Sequence, residues 1–252
     1  MVERLERDGF AVIEGALDPD EVRRLTSSVD RVWRTEASDG SALHRLAFVP
    51  LDAAFLDLVD HPAALPVVTA LLGWNIYLYH CHLDVHPRIR GSPAPAWRWH
   101  QDGGRQNVDL ASPRPRLSIK VAYFLTDVQR AEGGAMLLIP GSHNRDVLER
   151  PPDGSGRPSG SEPLLVRAGT AVVMDRRLWH ARGDNLSGPT RKVLFYAYTY
   201  RWIQPRDELE LSERDVAGLE PLRRQLLGEA TSATGRWMPT DADVPLRSRA
   251  FG

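Results

Sequence analysis

Within Trp97-Arg98-Trp99-His100-Gln101-Asp102 a histidine and a carboxylate stand two residues apart in an aromatic-rich, extended stretch. Side chains on a strand alternate with a period of 2, so the pair points to one face and can grip a single metal ion. The best third ligand is His180, where the apolar run Val172-Val173-Met174-Asp175 leads through a short turn to a histidine. Two histidines and one carboxylate gathered on one side of a metal leave the opposite positions open, the facial arrangement of non-haem Fe(II) sites. Residues two apart on a straight strand lie about 6–7 Å from each other. The set therefore closes on one ion only if the chain turns at Gly103-Gly104 and lets Asp102 fold back.

Arg191 follows His180 and shares a strand face with Val193, Phe195 and Ala197. A guanidinium at the end of an apolar wall is costly unless an anion meets it. Two readings stand side by side: a bidentate contact to a bound dicarboxylate, or a fold-stabilising ion pair with Asp175 or Asp184. A rival metal set is His80-x-His82-x-Asp84-x-His86, four donors on one face of a strand that carries Tyr79, Cys81 and Leu83 on the other, from which a cupin-like site could be drawn without His100. The two-residue spacing along a straight strand disfavours it. His143, in Pro140-Gly141-Ser142-His143, reads as a structural cap of a tight turn. His44 and His61 have no partner in view and read as surface or packing residues, and Trp97, Trp99 and Trp179 as packing around the mouth of the site.

Outside these motifs, Phe10 to Glu14 predicts a short strand closed by Gly15. Asp18-Pro19-Asp20-Glu21 then combines an N-cap, a first-turn proline and an acid three residues on, and announces a helix with an apolar stripe at Val22, Leu25, Val29, Val32 and Trp33. A second helical region is expected over 51–72. Strands are expected over 74–86, 97–102, 116–126, 135–140, 163–167, 170–175 and 190–202, with a loop over 87–95 and breaks at 133–134, 140–142, 151–156 and 186–189. Short strands separated by turn chemistry favour an antiparallel sandwich or barrel. Residues 212–228 predict a helix, and 231–252 an irregular flap or poorly ordered end. The expected organisation is one domain over 1–252, with a mostly helical part at 1–73, a β core at 74–202 and a C-terminal helix and tail at 203–252.

With 252 residues, 42% apolar and 26% charged, the composition is that of a globular protein. A net charge of -1 gives no pull towards nucleic acid or an anionic membrane. The lone Cys81 cannot form an intramolecular disulfide, the N-terminus lacks a signal-peptide pattern, and no apolar run would span a bilayer. A cytoplasmic protein working as monomer or homodimer on a small molecule is expected, with neither nucleic acid nor membrane as partner.

His100-Gln101-Asp102, then Glu132-Gly133-Gly134-Ala135-Met136 leading to Pro140-Gly141-Ser142-His143, then His180 and Arg191, in this order and spacing, resemble the phytanoyl-CoA dioxygenase family of Fe(II)- and 2-oxoglutarate-dependent oxygenases. The resemblance runs from about Phe10 to Trp202. It implies a mainly β fold with helical decoration: a double-stranded β-helix, or cupin-like jelly roll, with N-terminal helices packed on its outer face. It implies Fe(II) on His100, Asp102 and His180, the distal carboxylate of 2-oxoglutarate on Arg191, and a polar contact to 2-oxoglutarate from the strand of Tyr79 to His86, where His82 is the choice. Lys120, on a strand with Ala122 and Phe124, is a second candidate for the cofactor pocket. The chemistry implied is consumption of O2 and 2-oxoglutarate, with ascorbate as in vitro reductant, release of succinate and CO2, and hydroxylation of a C-H bond. Related halogenases carry a small residue at the carboxylate position, so Asp102 argues for oxygenation. Arg105, Gln106, Asn107, Arg145 and the rim 151–161 suggest a polar or anionic substrate. Two other classes remain: a non-catalytic jelly-roll binding module, and a cupin-type isomerase or hydrolase on His80, His82 and His86.

Overall fold

The computed structural model describes residues 1–91, 97–150, 156–186, 188–212 and 216–250. Its strands form two antiparallel sheets. β1 (Phe10–Ile13), β2 (Leu43–Leu46), β3 (Ile76–His86), β4 (Ser118–Phe124), β7 (Ala171–Asp175) and β9 (Arg191–Tyr200) make the larger one, in the order β1-β7-β4-β9-β3-β2. β5 (Met136–Leu138), β6 (Glu162–Leu164) and β8 (His180–Arg182) make the smaller, in the order β6-β5-β8.

Alternation along the central strands sorts the side chains into two layers. Leu83, Val121, Tyr123, Leu194 and Tyr196 face outward and pack on Leu25, Val29, Phe55 and Val68, the buried stripes of the N-terminal helices. Phe124, Val172, Val193 and Phe195 face the other way and meet Met136, Leu138 and Leu164 of the small sheet. This is the jelly-roll arrangement with helices on the outer face, without a closed barrel. Two tyrosines pin the helical layer: Tyr196 Oη donates to Phe55 O at 2.8 Å and Tyr198 Oη to Val59 O at 2.7 Å.

The helix announced by Asp18 is α2 (Pro19–Glu36), following α1 (Val2–Asp8). Asp18 accepts from the Asp20 and Glu21 amides, and the Glu21 carboxylate accepts from the Asp18 amide, the reciprocal cap that the sequence predicts. α1 is unannounced and closes at Gly9, whose φ of 82° suits glycine. The helical region expected over 51–72, punctuated by His61-Pro62 and Pro66, consists of α3 (Ala53–Leu56) and α4 (Leu65–Leu72), with Pro66 in the first turn of α4. β2 is also unannounced, since Leu43-His44-Arg45-Leu46 lacks an alternating apolar pattern.

Three further expectations are corrected. Residues 97–102 are not a strand: His100 makes one bridge to His180, and a turn at 102–105 follows through α5 (Gln106–Asp109). In β3 a register shift between Leu78 and His80 is a β-bulge that takes Tyr79 away from the face of Cys81 and Leu83, to pack with Tyr77 and Ala197. The tail is ordered by capping chemistry: Asp243 accepts from the backbone and hydroxyl of both Thr231 and Thr240. Of the helix expected over 212–228, α6 (Pro221–Leu226) is the main part, opened by proline, and α7 (Leu246–Ala250) lies further on. Residues 213–215 of that region, and parts of the loops expected at 87–95, 151–156 and 186–189, lie outside the described residues.

Candidate metal and co-substrate site

The site is built where the small sheet meets the turn after His100. His100 and His180 exchange both backbone hydrogen bonds, each at 3.0 Å, so their side chains emerge on one face with ring centroids 4.3 Å apart. The chain then reverses. Gly103 at φ 114° and Gly104 at φ 51° adopt conformations open to glycine, and the Asp102 amide donates to Arg176 O at 2.8 Å. The bend that the metal reading requires is therefore present, and His100, Asp102 and His180 each offer a donor atom within 4.8 Å of the others.

Backbone carbonyls fix the tautomers. His100 Nδ1 lies 2.8 Å from Arg98 O and His180 Nδ1 lies 2.9 Å from Leu178 O. A carbonyl can only accept, so each Nδ1 carries the proton and each Nε2 presents a lone pair. Burial, the largest influence, drives the His180 pKa down to about 4 against the opposing charge of Asp102, which keeps the imidazole neutral at physiological pH. Burial would push the Asp102 carboxyl up, but Lys120, His180 and His100 outweigh it and hold it well below the usual carboxylate range. Lys120 Nζ sits 2.6 Å from Asp102 Oδ2, leaving Oδ1 on the His100 side. The donor set fits a divalent transition metal.

This turn is held by residues to which the sequence assigned no such role, among them Gln106, Asn107 and Arg145, expected there to face the substrate. Gln101, between the two ligand positions, donates to Arg145 O at 2.9 Å and to Arg177 O at 2.5 Å, and accepts from Arg114 at 2.7 Å. Buried Arg176 donates to Gln106 Oε1 at 2.6 Å and to Asn107 Oδ1, while Asn107 donates to Asp102 O at 3.0 Å. Gln106 lines a cavity yet also serves as this acceptor, and Arg145 contributes its carbonyl to the scaffold. Only polarity marks these residues in the sequence, and their partners are distant along the chain.

Arg191 opens β9 at 2% exposure, facing the cavity. Neither acid proposed as its ion-pair partner meets it: Asp184 pairs with Arg98 at 2.5 Å, and Asp175 with Arg116 and Arg177 at 2.7 Å each. Its Nε and Nη1 have no hydrogen-bond partner. Burial lowers its pKa to about 10, with Asp84 opposing. Gly134 makes room for it, since a Cβ there would lie 3.2 Å from Arg191 Cδ.

His100, Asp102, His180 and Arg191 line one cavity of about 310 Å³ together with His82, Lys120 and Phe195. His82 stacks on Phe195 with centroids 4.3 Å apart, and its Nδ1 lies 3.1 Å from His80 Nε2. His80 Nδ1 in turn lies 2.7 Å from the Asp207 carboxylate. Burial depresses both imidazole pKa values. With neutral rings the relay leaves His82 Nε2 as an acceptor.

The expected rival set is rearranged. His80 is engaged by Asp207, and Arg182 donates to His86 Nε2 at 2.6 Å. The trio that converges is His44, His82 and Asp84, because β2 pairs His44 opposite Asp84 and brings its Nδ1 2.7 Å from Oδ1. His44 thus has a partner after all. His61 is buried with Nε2 3.3 Å from Glu21. His143 is buried beside Gly9, with Nε2 3.1 Å from Glu6 O, in keeping with its structural reading.

Comparisons with known proteins give the family and the fold. Ectoine dioxygenase of Nocardia farcinica is 26% identical over 231 residues, covering 77% of this chain and 74% of its own. Among solved structures, HygX from Streptomyces hygroscopicus, with nickel and 2-oxoglutarate bound, superposes with a TM-score of 0.65 at 16% identity, over 84% of this chain and 90% of that one. The epimerase SnoN, in complex with Fe3+, alpha-ketoglutarate and nogalamycin RO, gives 0.64 at 19% identity, over 88% and 91%. At these identities the structural likeness is one of fold. The profile described as phytanoyl-CoA dioxygenase matches residues 5–193, most of the chain, and the chain therefore belongs to the phytanoyl-CoA dioxygenase family of Fe(II)- and 2-oxoglutarate-dependent oxygenases.

Proposed function

We propose that this dioxygenase hydroxylates an unactivated C-H bond of a small polar metabolite, with Fe(II) on His100, Asp102 and His180 and 2-oxoglutarate anchored by Arg191. The observation that carries this reading is Arg191: a buried guanidinium with two unpartnered nitrogens, in the same cavity as the convergent donors. A dicarboxylate with one end at the metal would supply the missing anion at the other.

Bound iron and 2-oxoglutarate supply the redox chemistry, in which O2 and 2-oxoglutarate yield succinate and CO2 while one oxygen atom enters the substrate C-H bond. The chain's own part is placement. His100 and His180 hold their Nε2 lone pairs inward, and Lys120 holds Oδ2 of Asp102 so that Oδ1 is free to bind. Phe195 and Met136 give the cavity an apolar side that limits water around the reacting groups. His82 lines the co-substrate space and, as an acceptor, suits a water or substrate hydroxyl. In this reading residues 1–252 act as one oxygenase domain, working in the cytoplasm as monomer or homodimer. No helix among the described residues is long and apolar enough to cross a membrane.

The test compares the wild type with His180→Ala and His82→Ala for bound iron, and for CO2 release from labelled 2-oxoglutarate with ascorbate present. The expected result is stoichiometric iron and turnover in the wild type, both lost in H180A, with iron retained in H82A. Iron lost from H82A and kept by H180A would move the metal to the His44, His82 and Asp84 trio.

A further inference from the structure

We propose that the substrate is an anion whose carboxylate or phosphate is bound by Arg206, a residue in the segment after β9. The proposal deepens the oxygenase reading and rests on it.

Two cavities meet at the candidate metal site. The first, of about 310 Å³, runs to Arg191. The second, of about 630 Å³, lies between Tyr79, the turn 103–106 and residues 204–206. That volume is in the range of small-molecule pockets. Among the described residues only His100, Asp102 and Arg206 line both, so Arg206 stands at the junction beside two of the three proposed ligands.

Most of the cations along these walls have a hydrogen-bond or ion-pair partner, and two arginines have none. Arg98 pairs with Asp184 at 2.5 Å, Arg105 with Asp109 at 2.8 Å and Lys120 with Asp102 at 2.6 Å, while Arg182 donates to His86 at 2.6 Å. Of the two lining carboxylates, Asp84 faces His44 at 2.7 Å and Asp102 faces Lys120. Among the described residues no carboxylate or hydrogen-bond acceptor engages the side chains of Arg191 or Arg206. 2-Oxoglutarate answers the first. The second is left facing the larger cavity.

The backbone under Arg206 is fixed on both sides. Its amide donates to Tyr79 O at 2.8 Å, and the carboxylate of the following Asp207, buried against β3, accepts from the Cys81 amide at 2.8 Å and faces His80 Nδ1 at 2.7 Å. With the main chain anchored in this way only the Arg206 side chain need be ordered on meeting an oxyanion, and a guanidinium binds carboxylate and phosphate bidentately.

The test is calorimetric titration of the full chain, loaded anaerobically with Fe(II) and 2-oxoglutarate, with benzoate, phenyl phosphate and glucose 6-phosphate, and with their uncharged counterparts methyl benzoate, phenol and glucose. At least one anion should bind tenfold or more tightly than its counterpart, and the pairs show whether carboxylate or phosphate is preferred. Arg206→Gln should bring that preference within twofold, Arg206→Lys should retain part of it, and 2-oxoglutarate affinity should stay within twofold of wild type in both. Failure of all three anions to bind, a preference that survives R206Q, or a loss in R206Q confined to 2-oxoglutarate would overturn the proposal. Failure of the oxygenase reading looks different, as no 2-oxoglutarate binding by the iron-loaded wild type. In that event the same anion titration in Arg191→Met, which lacks the other free guanidinium, tests Arg206 by the same tenfold preference.

Discussion

Arg191 shows how a single residue can be wrong for folding and right for binding. Its guanidinium is withdrawn from water with Nε and Nη1 unpaired, at a cost that only a bound anion would offset. R191M should therefore leave the ligand-free protein at least as stable as wild type, with a gain of about 1 kcal/mol or more in thermal or denaturant unfolding, since a methionine fits the apolar wall. The same variant should weaken 2-oxoglutarate binding about 30-fold or more, the loss expected for hydrogen bonds to a charged group. A destabilised R191M that still binds 2-oxoglutarate would return Arg191 to the role of a structural ion-pair partner. His180 makes the complementary point, because burial that keeps its ring neutral also prepares it as a metal donor.

Short elements with irregular joints place these groups. The bridge between His100 and His180 puts two ligands side by side, the glycine turn brings the third, and the bulge at Tyr79 turns that ring towards Ser118, whose hydroxyl lies 3.2 Å from Tyr79 Oη. Gly134 belongs to the same design, at φ 80° with its Cα against the Arg191 stem. Gly134→Ala should cost about 1 kcal/mol of stability from the left-handed backbone alone. It should also raise the 2-oxoglutarate dissociation constant by displacing Arg191, while iron binding stays at the wild-type level. Parallel metal and 2-oxoglutarate titrations check this, and equal loss of both would mean a general collapse of the cavity.

At the scale of the molecule, the termini of distant elements are tied by Asp175. Its carboxylate meets Arg177 and Arg116, Arg116 reaches Glu6 of α1 at 2.7 Å, and the Asp175 amide donates to Gly9 O at 2.9 Å. Burial would raise the Asp175 pKa, but hydrogen bonds and charge from Arg177 and Arg116 leave it lowered. A depressed carboxylate pKa contributes stability that is present above the unfolded value, near about 3.9, and is lost as the pH falls through the folded value. Denaturation midpoints measured from pH 6 down to pH 3 should therefore fall more in the wild type than in Asp175→Asn. At pH 7 D175N should be less stable by about 3 kcal/mol, the cost of stranding a largely buried partner charge.

Whatever depends on local pattern was legible in the sequence. Alternation along 118–124 and 191–200 set which side chains face the helices and which face the cavity, the Asp18 box fixed the start of α2, and the ordered set from His100 to Arg191 carried the family. Tertiary structure alone decided what depends on pairing between distant segments. His44 meets Asp84 only because β2 joins the sheet, and Lys120 meets Asp102 only because the turn after His100 folds back over β4. Arg206 reaches the junction of the cavities through Asp207 docking on His80, 127 residues away along the chain. Periodicity reports which face a residue occupies, but an ion pair or relay forms where two faces meet, and that meeting is set by the packing of the whole chain.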